Sequence, residues 1–446
     1  MSLLSLVSTW GLLLAGFYYA RRVRTVEGTG LLAAYLISFC GLHWVGGLIR
    51  LFPWFKDRSL VATTLGLERS TYALAALIAG SLFISPLIAR FVRARRGKAG
   101  YMPAPRLARI YLIIGVISYL LLLTFISRLP SMAAVISAGE GLYVAGLCLI
   151  CWNAIQQKRA AGLLGGLALA LTMPLITIIT QGFMGYGAAA AVVVFSFLGS
   201  IVSRWKIALI GALACYLGLS VYVTYMRDRT EIRTVVWGAQ PMEERLNQIE
   251  QTFAAFEWFN PYDSAHLNRI DVRMNQNLLV GRAVARLSET QDFANGETVW
   301  SALVALVPRA LWPDKPVVAG SGDLVSHYTG LHFGEFTSVG IGQVLEFYIN
   351  FGTIGVIVGF LLLGAILTTV DITAHARLVA GDHQGFVLWF VSGMGMLQAG
   401  GSLAELTASV AGGLITVAIV NRYFLPHLQQ TYFASPATIP ASSSSR

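Results

Sequence analysis

Charge is what this sequence lacks most. Asp, Glu, Lys and Arg make up only 12% of its 446 residues, against about 25% in an average soluble chain. So sparse a charge complement excludes a soluble enzyme, and a disordered chain as well. Cysteine is scarce too. Cys40, Cys148, Cys151 and Cys215 all sit inside apolar runs, which excludes a disulfide scaffold. Cys148 and Cys151 form a C-x-x-C pair, but with no second pair they read as helix packing rather than metal or redox chemistry. There is no P-loop, GxGxxG, G-x-S-x-G or H-E-x-x-H, and no D-x-D at the start of an outer loop. Neither nucleotide, metal nor other cofactor is therefore expected. No internal repeat is visible either, which speaks against an inverted-repeat transporter.

What the chain has instead is apolar length. Hydrophobic residues make up 56% and the mean hydropathy is +0.65. Apolar runs near 3–20, 31–49, 70–89, 107–127, 138–156, 161–180, 186–203, 207–226, 350–370, 384–402 and 405–424 are each long enough to cross a bilayer core of about 30 Å. The expected fold is thus an all-α polytopic membrane protein of about eleven transmembrane helices. The first run leads straight into Arg21, Arg22 and Arg24 and lacks a basic start, so it reads as a span rather than a cleaved signal.

Lys and Arg set the orientation. With the N-terminus outside, the inner segments hold 17 of the 32 basic residues against Glu27, Asp371 and Asp382. N-out, C-in is the expectation. The pI near 9.6 then reflects topology, and no nucleic acid partner is implied. Four parts follow: spans one to eight over 1–226, an outer loop at 227–338, three spans over 339–424, and a Ser-rich inner tail at 425–446.

The loop carries ten basic and fourteen acidic residues. A loop this long in a membrane protein reads as functional rather than connective. Arg269 and Arg273 fall at i, i+4, as do Arg282 and Arg286. Each arginine has two readings: one member of a salt-bridged surface helix, or part of a guanidinium cluster that grips phosphate bidentately. Val299–Leu311 is apolar but too short to span. It runs into a segment where three prolines stiffen the chain and Trp312 suits a membrane interface, placing Arg309 and Lys315 at headgroup level. Both could equally snorkel to lipid.

His266, His327 and His332 are the histidines placed for chemistry on the outer side. After them comes a polar stripe on an apolar helix, Gln343, Glu346 and Asn350 at i, i+3, i+7. A carboxylate in a membrane helix costs several kcal/mol unless paired or wet, so Glu346 is a functional candidate or a structural partner. A reaction on the outer face of the membrane without nucleotide or metal needs a donor that is already activated, and a lipid diphosphate sugar is one.

Several strings carry a resemblance. They are Val-Pro-Arg-Ala-Leu-Trp-Pro-Asp-Lys-Pro at 307–316, Gly-Gln-Val-Leu-Glu-Phe-Tyr-Ile-Asn-Phe-Gly at 342–352 with Gly355, and Gln-Gly-Phe-Met-Gly-Tyr-Gly at 181–187. With the span count and the late outer loop, they resemble the Wzy-type O-antigen and exopolysaccharide polymerases over about thirty residues. The resemblance implies a multi-pass glycosyltransferase of the bacterial inner membrane with the multi-span GT-C-like fold. It implies metal-independent, inverting joining of undecaprenyl-diphosphate-linked oligosaccharide units at the periplasmic face, in lipopolysaccharide or exopolysaccharide biosynthesis. A flippase and a chain-length regulator would be its partners, alongside the lipid bilayer. Arg309, Glu346 and His327 would be catalytic. Arg273, Arg282 and Lys315 would hold the diphosphate, and Gln343, Tyr348, Asn350 and Trp312 the substrate. O-antigen ligase, on the same fold, is the runner-up. A transporter of lipid-linked or ionic substrate is the alternative from another class, and it would need charges along several spans.

Overall fold

The computed structural model describes residues 1–24, 26–56, 59–93, 104–122, 130–201, 204–307, 312, 314–315, 320–333 and 339–427. Among the described residues every regular element is helical. The first nine helices are α1 (Leu3–Val23), α2 (Leu31–Ile49), α3 (Leu60–Ala79), α4 (Ser85–Arg93), α5 (Ala104–Leu122), α6 (Pro130–Gln156), α7 (Ala160–Gln181), α8 (Met184–Ile201) and α9 (Arg204–Arg227). Six short ones follow: α10 (Arg229–Trp237), α11 (Met242–Ala254), α12 (Ser264–Met274), α13 (Asn277–Thr290), α14 (Glu297–Ala305) and α15 (Ser321–Thr329). The chain ends with α16 (Gln343–Val379), α17 (His383–Met394) and α18 (Leu403–Ile419).

Eight helical stretches among the described residues are long and apolar enough to cross a bilayer. The chain is a helical membrane protein. The eight match the expected spans one, two, three, five, six, seven, nine and eleven. The expected spans at 107–127 and 207–226 fall on α5 and α9, which are only partly described. The run at 384–402 is not one helix. Its helical part, α17, has 12 residues, about 18 Å at 1.5 Å per residue, and 395–402 is irregular.

α16 is two helices. Phe351 and Gly352 leave helical geometry, with Gly352 at φ 60°, ψ −149°, a region open to glycine and costly for other residues. The chain reverses there. Phe347 and Gly359 would stand about 18 Å apart on a straight helix. Instead a Cβ at Gly359 would lie 2.6 Å from the Phe347 ring, and one at Gly355 2.5 Å from the Phe347 carbonyl. The Phe347 and Phe360 rings are 5.8 Å apart. Gln343–Asn350 is therefore a half-helix folded back on the long apolar helix that follows.

The long polar segment is not a separate domain. α12 packs on α2 and α9, α13 on α3, and α14 on α18. The α3–α13 contact is backbone on backbone: a side chain at Gly66 would run into the Asn277 carbonyl, and one at Gly281 into that of Ala62. Small residues admit this approach where no water-driven force exists between helices. Arg50 fastens α12 further, pairing with both Asp271 oxygens at 2.5 and 3.1 Å. At the opposite end of the bundle, buried Asp371 accepts from the Thr29 N–H (2.7 Å), the Thr29 hydroxyl (2.8 Å) and the Leu31 N–H (3.1 Å), capping α2.

Candidate functional site

The polar stripe sits under the helices of the long segment, and its side chains are spoken for. Gln343, Glu346 and Asn350 are 0%, 1% and 1% exposed. Gln343 accepts from the Tyr35 hydroxyl at 2.6 Å and donates to the Gln398 carbonyl at 3.0 Å. Asn350 accepts from the Gly296 N–H at 2.9 Å and donates to the Thr298 hydroxyl at 2.7 Å, fixing the start of α14. Glu346 accepts from the Leu403 N–H at 2.6 Å, and the Thr298 hydroxyl also reaches its carboxylate.

Glu346 therefore caps α18, where it also meets the positive end of the helix dipole. A capping box of Ser402 and Glu405 completes that end. The irregular stretch 395–402 survives among membrane helices because protein donors take its carbonyls. The Gln343 N–H reaches Ala399 at 3.2 Å, and the Gln276 amide reaches Gly400 at 3.4 Å. The stripe is thus a lock that joins a half-helix, an unwound segment and two helix N-termini.

Beside it lies a charged face that falls just outside the apolar run at 70–89. Arg69 is nine residues into α3, about two and a half turns. Its guanidinium is 5.7 Å from the Tyr72 ring and 6.0 Å from the Tyr348 ring, and 3.6 Å from Glu68. The Tyr72 hydroxyl donates to Glu68 at 2.9 Å, and Phe293 packs on Tyr348 at 6.4 Å. The signal was present as an adjacent Glu-Arg pair. The apolar run begins only at 70, whereas α3 begins at Leu60 and carries Glu68 and Arg69 within it.

Further out, Glu257 gathers a network. Arg227 donates to it at 2.9 Å, His266 approaches at 3.1 Å, and Arg269 pairs with the same carboxylate. Burial pushes the Glu257 carboxyl up, but the hydrogen bonds from Arg227, Arg269 and His266 outweigh it and hold it at about 2. Of the helix arginines, Arg269 thus follows the salt-bridged reading.

The remaining expected site residues are spread out. Arg273 lies half-buried near the end of α12, and Arg282 is exposed on α13. Lys315 donates to the Val307 carbonyl at 3.0 Å, and Trp312 is exposed. His327 is exposed on α15, 3.6 Å from Asp292. Arg309 lies outside the described residues. Gln343, Glu346, Asn350 and Tyr348 share one region, while Lys315 bonds to the Val307 carbonyl and His327 faces Asp292.

The 181–187 string forms the α7–α8 turn. Gly182 ends α7 at φ 73°, and its carbonyl accepts from the Tyr225 hydroxyl at 2.9 Å and the Arg233 Nε at 3.4 Å. Among the described residues no group of three His, Cys, Asp or Glu is placed to hold a metal ion.

A search of curated proteins and a search of solved structures each find no match to the chain. A family model described as "Domain of unknown function (DUF8712)" matches residues 59–428. That range runs from the start of α3 past α18, taking in the long polar segment and the lock beneath it, and the chain belongs to the DUF8712 family.

Proposed function

We propose that the chain is a membrane glycosyltransferase that polymerises undecaprenyl-diphosphate-linked oligosaccharide units at the periplasmic face, as its resemblance to Wzy-type polymerases implies. The acceptor sugar's hydroxyl oxygen attacks the anomeric carbon of the growing chain. The bond from that carbon to the diphosphate breaks with inversion, and undecaprenyl diphosphate leaves. Arg309, with Arg273, Arg282 and Lys315, offsets the leaving charge, a contribution that preorganised donors commonly make largest. His327 takes the acceptor proton, and Asp292 beside it balances the charge gained. Glu346 is a positioning residue, holding the half-helix that presents Tyr348. Trp312 anchors the loop at the interface.

One observation carries this reading over transport. The buried lock and the Glu257 network gather at one end of the bundle, under the long polar segment, and the buried carboxylate at the opposite end, Asp371, is taken up in capping α2. A transporter remains the second reading, and the reversal in α16 opposite an unwound segment favours it, because broken helices often mark substrate sites in transporters.

Deleting the gene in its own cell tests the choice. The expected result is surface glycan reduced to single repeat units, with lipid-linked single units accumulating. Full-length polymer in the deletion strain would overturn the proposal.

A further inference from the structure

The α7–α8 turn carries a group of aromatic faces that neither the lock nor the proposed chemistry uses. Phe183 stands 5.6 Å from Trp237 and 5.8 Å from Tyr186, centroid to centroid. Tyr186 is 59% and Trp237 43% exposed. The platform is held from behind. Arg233, 8% exposed, lies 4.3 Å from the Phe183 ring and 4.9 Å from the Trp237 ring, and the Trp237 Nε1 donates to the Gln181 carbonyl at 3.1 Å. Rings braced in this way lose little freedom when something settles on them.

A carboxylate flanks the same rings. The Gln181 side-chain amide donates to the Glu140 carboxylate at 3.5 Å, and the backbone carbonyl of the same glutamine holds Trp237. That placement discriminates between occupants. A lipid-facing aromatic anchor would not keep a carboxylate beside it, because charge facing hydrocarbon is expensive. A diphosphate would be repelled by it. A sugar ring suits the place: its C–H face lies flat on an aromatic face, and its hydroxyls donate to a carboxylate and accept from an amide.

We propose that Trp237, Phe183 and Tyr186, with Glu140 and Gln181, form a glycan-binding platform that takes neutral or amino sugar rings in preference to uronic acids. The proposal rests on the polymerase reading for the ligand's origin and adds where the oligosaccharide lies, apart from the diphosphate.

The experiment titrates full-length protein in detergent with defined hexasaccharides, following intrinsic tryptophan fluorescence and heat. The panel is malto- and manno-oligosaccharide (neutral), chito-oligosaccharide (N-acetylated amino sugar) and oligogalacturonate (acidic). The wild type is expected to bind a neutral or amino member best. Tyr186→Leu and Trp237→Leu should each weaken binding about tenfold, the scale of one lost ring contact. Tyr186→Phe and Trp237→Phe, which keep a flat face, should stay within about threefold, with melting temperatures held across the set. Leu variants that bind like the wild type would overturn the platform, as would oligogalacturonate binding best or a wild type that binds nothing in the panel. Polymer formation is scored separately. A polymerising wild type whose Leu variants bind normally sinks the platform alone. Binding through Tyr186 and Trp237 in a protein that makes no polymer sinks the polymerase reading and leaves the platform standing.

Discussion

The Glu346 carboxylate and the Leu403 N–H, 57 positions apart in the chain, meet at 2.6 Å inside the protein. This one bond ties the folded-back half of α16 to the first turn of α18. It gives the carboxylate a reason to be buried that does not require it to touch substrate.

Removing the cap should cost stability. Glu346→Ala leaves the Leu403 N–H without its acceptor, a loss of about 1–3 kcal/mol, while Glu346→Gln keeps an oxygen there and should lose less. Thermal unfolding in detergent reads the difference. An unchanged midpoint for Glu346→Ala, together with lost activity, would make Glu346 catalytic instead.

The reversal at Gly352 should be sensitive to bulk at its seam. Gly355→Ala drives a methyl against a backbone carbonyl, whereas Gly359→Ala meets the Phe347 ring, which can shift. Both should destabilise, Gly355→Ala more, within the roughly 1–3 kcal/mol usual for overpacking. Equal melting temperatures for both variants and the wild type would contradict a folded-back α16.

The Glu257 network makes the segment around it acid-sensitive. Its carboxyl is held at about 2, below the ordinary 4.5, so its contribution is present above pH 4.5 and is lost as pH falls from there towards 2. Protease cleavage between α11 and α12 should accelerate over that range. In Glu257→Gln the acceleration should be largely absent and cleavage already faster at neutral pH. A pH profile identical in wild type and variant would remove Glu257 as the cause.

Orientation has its own test. A reporter active only outside the cytoplasm should work when fused after Asn260 and stay silent after Lys158. The opposite pattern would place the long polar segment in the cytoplasm and end the periplasmic mechanism.

The membrane class was legible because apolar length is a local property. The run at 31–49 coincides with α2 to the residue. The reversal in α16 was not legible, since a periodic pattern carries no direction. The unwinding at 395–402 was announced by Gly395, Gly400 and Gly401, but the surrounding apolar residues masked them. Glu346 stood out as a carboxylate in an apolar helix. Its partner is a backbone N–H in another helix, which no residue pattern reveals. Arg69 stands just ahead of the apolar run at 70–89 yet lies inside α3: membrane and loop look alike where a helix continues beyond its apolar run.

The central claim is tested most directly by purified protein in detergent, supplied with undecaprenyl-diphosphate-linked repeat units, chelator and no nucleotide, with products resolved by size. A ladder of units should form, and undecaprenyl diphosphate should be released in step with each linkage. Correctly folded protein that leaves every unit single, yet moves the same lipid across a vesicle membrane, would contradict the polymerase and establish a transporter.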